Sequence, residues 1–166
     1  MKTLATLSLC LLGAATASAR AEPDADDAGA FKQQVWVTSG FRSHHTNNAS
    51  RYREHNDGIG LEWQFAPDWQ FNAGHYNNSV RHTSTYWQAG WSPLSMPLGS
   101  AWRLRAGGSV GIVNGYPRQS HGGYFPTLVP MLSLEWRRVA LNLLYIPTIG
   151  GKVDGAVALQ MKLRVY

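Results

Sequence analysis

From Gln34 to Tyr166 the chain divides into eight short segments in which apolar residues alternate with polar or very small ones. The last segment is the clearest. Val157, Leu159, Met161, Leu163 and Val165 interleave with Ala156, Ala158, Gln160, Lys162 and Arg164. A period of two puts each set on its own face of a strand. An even number of such segments, each about ten residues long, predicts an all-β fold: an antiparallel, up-and-down, eight-stranded barrel of the outer-membrane type. No run of about 18 apolar residues is present to cross a bilayer as a helix. A secreted, water-soluble barrel is the alternative, but Trp, Tyr and Leu crowd the apolar faces more heavily than water tolerates.

The first residues read as a leader. Lys2, the apolar run Leu7 to Ala15 and the small residues around Ala17, Ala19 and Ala21 fit a cleavable signal peptide over 1–21. Cys10, the single cysteine, sits inside it, so the mature chain is expected to have no disulfide and no cysteine metal site. Residues 22–33, with Asp24, Asp26 and Asp27, form a lead-in, and 34–166 form the barrel domain. Loss of Lys2 and Arg20 leaves 13 basic against 10 acidic residues. So mild an excess suits an anionic lipid surface, and no basic stripe interleaved with aromatics points to nucleic acid.

The strands are expected at 34–43, 57–66, 69–78, 83–92, 100–113, 127–136, 138–147 and 154–165. Pro67-Asp68, Pro93 to Gly99 and Arg137-Arg138 read as short periplasmic turns. Ser43 to Asn56, Asn114 to Pro126 and Thr148 to Val153 read as long extracellular loops. In that orientation the inward residues near the periplasm are Glu62, Gln64, Gln70, Asn72, Arg103, Arg105, Gln160, Lys162 and Arg164, a set able to pair into a plug. Toward the exterior they shrink to Gly58, Gly60, Gly74, Gly107, Ser109, Gly111, Ala156 and Ala158. Eight strands leave room for side chains or for one small ligand, so this asymmetry predicts a well open to the outside. Glycines that merely relieve crowding are the competing explanation. Trp63, Trp69, Trp87, Trp91 and Trp102 are expected outward, as interfacial anchors.

At the outer rim, His44 is in phase with Thr38, Gly40 and Arg42, and Asn78 and Ser79 end the third strand. An imidazole beside a hydroxyl is the minimum for acyl transfer: the ring takes a proton and neighbouring donors hold the oxyanion. An isolated surface His beside an Asn-Ser turn is equally ordinary turn chemistry. His45, His55, His75, His82 and His121 raise the question of a metal, but their irregular spacing gives no dedicated site. Asn48-Ala49-Ser50 matches a glycosylation acceptor by composition only.

Several stretches, in order, carry a resemblance. These are Ser39-Gly40-Phe41-Arg42-Ser43-His44, Arg51-Tyr52-Arg53-Glu54 followed by Gly58-Ile59-Gly60-Leu61, Asn78-Ser79, Gly90-Trp91, Pro126 to Pro130, and Leu144-Tyr145-Ile146-Pro147. Over most of its mature length the chain resembles the lipid A palmitoyltransferases, the PagP family. The resemblance implies an outer-membrane acyltransferase that moves a long fatty-acyl chain from a phospholipid donor to a lipid A acceptor, without a cofactor and as a monomer. It assigns the catalytic roles to His44, Asn78 and Ser79, the floor of the acyl pocket to Gly90, and lateral lipid access to a gap at Pro130 and Pro147. Asn78 stands where the family has Asp, and an amide supplies no negative charge to an imidazolium; Asp57 is a candidate substitute. The prolines expected near strands one and two are absent, so no second gap is expected there. The other reading is a non-catalytic small barrel that binds or shields lipid; hydrolysis in place of transfer is a third.

Overall fold

The computed structural model describes residues 31–47, 49–150 and 153–166. The leader, most of the lead-in and Asn48 of the acceptor-like triplet lie outside the described residues. Eight strands, β1 (Gln34–His45), β2 (His55–Gln64), β3 (Trp69–Asn77), β4 (Thr83–Leu98), β5 (Trp102–Val113), β6 (Phe125–Trp136), β7 (Val139–Ile146) and β8 (Ala156–Arg164), pair each with the next. β8 closes on β1, giving a closed antiparallel barrel.

The distribution of polarity is the reverse of that in a water-soluble domain. Glu62, Gln64, Gln70, Arg105, Ser133, Asn142, Gln160 and Lys162 are all buried. Ile59, Leu61, Leu128, Met161 and Leu163 stand on the outside, and so do Trp63, Trp69, Trp87, Trp91 and Trp102, each about half exposed. The alternation therefore points its apolar face outward, as a barrel surrounded by hydrocarbon requires.

Inside the half of the barrel that bears the short turns the polar residues pair. Lys162 Nζ lies 2.6 Å from Glu62 Oε1 and 3.5 Å from Glu135 Oε1, with Arg105 Nε 4.0 Å from the same Glu135 oxygen. Lys162 Nζ also sits 4.5 Å from the centroid of the buried Trp36 ring. Two glutamates, a lysine and an arginine thus fill the barrel above its base, and each charge has an opposite charge within reach.

The exterior half is less hollow than the glycine count implies. Tyr76 and Tyr86 project inward and pack with Phe41, whose ring centroid lies 4.8 Å from that of Tyr76 and 6.2 Å from that of Tyr86. The glycines of β2 and β3 make room for them: a Cβ on Gly74 would sit 2.7 Å from the Tyr86 hydroxyl. Those niches are crowding relief. The space left open lies on the other side, toward β6, β7 and β8.

Strand β4 differs from expectation. Pro93 to Gly99 is not a turn, because the strand runs on to Leu98 past a bulge between Trp91 and Leu94. Below Trp91, β4 pairs with β5 alone, since its ladder with β3 ends at Trp69↔Trp91. Pro93 and Pro97 thus lie in a stretch with one free edge, where a missing N–H costs no ladder bond.

The buried pair gives a stability test. Lys162→Met leaves Glu62 charged and uncompensated, and the expected loss is about 3–5 kcal/mol, measured by urea unfolding in lipid vesicles; Lys162→Met with Glu62→Gln should recover part of it. An unchanged midpoint for the single variant would contradict the plug.

Candidate functional site

The geometry of the outer rim is set by an irregularity in β1. Thr38 pairs with Lys162 and Phe41 with Gln160, so Ser39 and Gly40 on β1 face a single β8 residue, Met161. Ser39 holds the bulge: its Oγ donates to the Gly40 carbonyl at 2.7 Å and accepts the Met161 N–H at 3.0 Å. Only glycine fits at 40, because a Cβ there would collide with the backbone of Asn56 and Gly58. One extra residue exchanges the two faces of everything beyond it.

The inward placement expected of His44 is therefore corrected. Before the bulge Trp36 and Thr38 point inward; after it Phe41, Ser43 and His45 do. His44 projects from the barrel exterior with its side chain 75% exposed, and its Nδ1 lies 3.1 Å from Glu54 Oε1. Asp57 does not serve it either, since that carboxylate lies 3.0 Å from His55 Nε2 and also pairs with Arg53.

Asn78 is corrected too, because it is a turn residue. Fully buried, it accepts N–H bonds from Val80 (3.0 Å) and His82 (2.9 Å) through Oδ1. Its Nδ2 donates to Ser84 Oγ (2.9 Å) and to the Gly115 carbonyl (2.8 Å). Three of these bonds stay within the turn and the start of β4, and the fourth ties the turn to the β5–β6 loop. A carboxylate could not make the last two, which accounts for an amide here. Ser79 is buried and lines the interior space together with Tyr116. Burial raises the Tyr116 hydroxyl above its ordinary pKa. Among His44, Asn78 and Ser79, only Ser79 borders the interior space.

That space is a cavity of about 560 Å³. Val129, Met131, Leu144, Ile146, Ala156 and Ala158 form an apolar wall on the β6–β8 side, with Phe41, Tyr76 and Tyr86 opposite. Its floor is polar. Asn142 Nδ2 donates to Gln160 Oε1 (3.2 Å), Gln160 Nε2 to the Ser39 carbonyl (3.1 Å), Gln88 Nε2 to Thr127 Oγ1 (3.3 Å) and Ser109 Oγ to Gln88 Oε1 (3.2 Å). These amides and hydroxyls separate the cavity from the charged plug. Gly90 does not border it. A Cβ at Gly90 would lie 2.7 Å from Gln70 Cγ, so the glycine houses the Gln70 side chain and is not the pocket floor.

The wall has an interruption. The β6–β7 ladder runs from Trp136↔Val139 to Met131↔Leu144 and stops, whereas β5–β6 continues to Val113↔Phe125 and β7–β8 to Ile146↔Ala156. Phe125 to Pro130 thus have a partner on one side only. Pro126 and Pro130 lie in this stretch, and Pro147 follows the facing end of β7. Prolines have no N–H to leave unpaired at such an edge. Outward-facing Leu128 and Pro126 border the cavity together with Pro147, so the interior reaches the barrel exterior through this seam. The β1–β2 ladder, in contrast, continues past its bulge to Arg42↔His55.

The loops around the mouth are tied to one another. The β1–β2 loop bonds the β7–β8 loop through Thr46 N to the Gly155 carbonyl (2.9 Å) and through the Tyr52 hydroxyl to Asp154. This hydrogen bond raises the Tyr52 pKa above 10.0, so the tie is fully present below pH 10 and is lost as pH rises through the raised value. Arg53 N bonds the Ser79 carbonyl (2.9 Å), linking the β1–β2 loop to the β3–β4 turn. His45 stacks on Tyr52 with centroids 4.2 Å apart, and its buried Nδ1 has no hydrogen-bond partner. Arg51, His82 and Arg118 complete the mouth. Among the described residues no three His, Cys, Asp or Glu side chains converge to hold a metal ion. Sequence reasoning put His45 at the rim without turning it inward and missed Arg51, Tyr52 and Arg118 as mouth residues; a glycine next to serine inside a strand was the available signal for the bulge that turns His45 inward.

No protein-family model and no curated protein matches the chain. Among solved structures it is similar to a designed protein described as "De novo design of transmembrane beta-barrels", with a TM-score of 0.53 at 15% identity, covering 80% of this chain and 95% of that one. Likeness at that identity shows the fold, a barrel of the transmembrane type, and not an activity.

Cysteine labelling tests the bulge. In a background with Cys10 replaced by serine, His44→Cys should react readily with a bulky water-soluble maleimide and His45→Cys slowly. Deleting Gly40 removes the extra residue, restores regular alternation from Thr38 to Phe41 and should leave that order unchanged. Equal reactivity in the parent barrel would contradict the assignment.

Proposed function

We propose that this protein is an outer-membrane barrel that holds one acyl chain of a membrane lipid, admitted sideways between β6 and β7. The observation that carries the reading is the conjunction of the broken β6–β7 ladder with an apolar-walled cavity directly behind it. Hydrocarbon tolerates an unladdered strand edge only where donors are removed or covered. Pro126, Pro130 and Pro147 remove them at this seam, and of the two proline-bearing free edges, in β4 and here, this one borders the cavity, which supports a constructed opening. The cavity size suits one small ligand. A chain arriving from a bilayer is already in hydrocarbon, so affinity must come from shape and from the polar groups at the mouth.

A second reading, acyl transfer from phospholipid to lipid A, keeps one specific support: Ser79 and His45 border the same cavity. In that reading His45 takes the role first given to His44. Lipid A from cells expressing Ser79→Ala or His45→Ala would then lack an acyl chain that the parent protein adds, and His44→Ala would not.

The test of the main reading is native mass spectrometry of barrel ejected from lipid nanodiscs. One single-chain or acyl lipid should accompany the parent protein. Ala158→Trp, which fills the cavity, should abolish it while heat-modifiable migration shows the barrel still folded. Equal lipid retention by both proteins would contradict the reading.

A further inference from the structure

The mouth of the cavity carries two guanidinium cations. Arg51, in the short 3-10 turn Ala49–Arg51, and Arg118, in the β5–β6 loop, both border the cavity and are both exposed. Among the described residues neither has a carboxylate within salt-bridge distance. Of the carboxylates in this region, Asp154 borders the cavity too and accepts the Tyr52 hydroxyl, Glu54 faces His44, and Asp57 pairs with Arg53 and His55. Arg51 and Arg118 line the same cavity as Tyr52. Two buried polar atoms in the adjoining wall, His45 Nδ1 and Asn56 Oδ1, have no partner. Beneath them the walls turn apolar.

We infer that the occupant is a single-chain amphiphile with an anionic head, a carboxylate or a phosphate monoester, gripped by Arg51 and Arg118 while its chain lies along Val129, Leu144, Ala156 and Ala158. The inference rests on the lipid-holding reading and names the chemistry that reading leaves open. Guanidinium is the side chain suited to a carboxylate or phosphate, because its planar fork makes paired, charge-assisted hydrogen bonds. The head stays in the wet mouth, so neither arginine needs to be buried. A zwitterionic two-chain lipid fits less well: one chain has no place in the cavity, and its head brings a cation toward two others.

The experiment uses the barrel in phosphatidylcholine nanodiscs and a fluorescent long-chain fatty acid, with the Ala158→Trp barrel as the blank for signal from the bilayer alone. The unlabelled fatty acid and a lysophosphatidate should displace the probe, and the alcohol of the same chain length should not. Arg51→Ala with Arg118→Ala should weaken acid binding about ten- to a hundredfold, the worth of one charge-assisted contact or more. The double Lys variant should keep an intermediate affinity. Inorganic phosphate should compete only at far higher concentration than lysophosphatidate. If the alcohol displaces the probe as well as the acid does and the double Ala variant binds normally, head recognition is overturned while lipid holding survives. Displacement by inorganic phosphate at lysophosphatidate concentrations would also overturn the inference, because the chain would then add nothing. If the parent barrel gives no signal above the filled one, the lipid-holding reading itself fails.

Discussion

Backbone hydrogen bonding in a hydrocarbon surround is the constraint on which the remaining features depend. A strand edge facing lipid has no water to satisfy it, so the sheet must close, and β8 laddering to β1 does this. Closure makes every break in the ladder informative. The stretch of β4 below Trp91 has one free edge and carries Pro93 and Pro97. The upper part of β6 has another and carries Pro126 and Pro130. At both places the residue type that cannot donate is where no acceptor waits. Only the second break opens onto a cavity, and this separates a feature of the barrel's edge from one of its site.

Closure also fixes what the interior can contain. Side chains that point inward must fill the space or leave it, and the two halves do so differently. Charges neutralise one another around Lys162 near the base, where a lone ion would be costly. Above them a layer of amides ends the cavity, and the aromatic trio Phe41, Tyr76 and Tyr86 occupies the β1–β4 side. The open volume is thereby displaced toward the seam. That offset, and not a central bore, is what makes sideways admission the natural route.

The alternation along each strand was enough to read the barrel and the inward set from Glu62 to Lys162, because a period of two holds wherever the ladder is regular. It failed where the ladder is irregular. Ser39-Gly40 adds one residue to β1, and counting in twos across it put His44 inside and left His45 out. Pro93 looked like a stop because proline ends a strand that is paired on both sides, and partners cannot be seen in a sequence. Gly90 and the upper glycines looked like empty space, but whether a missing side chain is filled from across the barrel, as Gln70 and Tyr86 fill these, depends on three-dimensional neighbours. The proline pair at 130 and 147 was legible for a simple reason: a missing N–H is a property of the residue itself.

The central claim is that the bilayer's acyl chains reach the interior above the last β6–β7 pair and nowhere below it. A fluorophore attached at Val129→Cys, facing inward above Met131↔Leu144, can be compared with one at Ser133→Cys, facing inward below that pair, in vesicles whose lipids carry nitroxides on their chains. Strong quenching at 129 with little at 133 is the result this account predicts. Equal protection of both positions would mean the wall is sealed, and would contradict it.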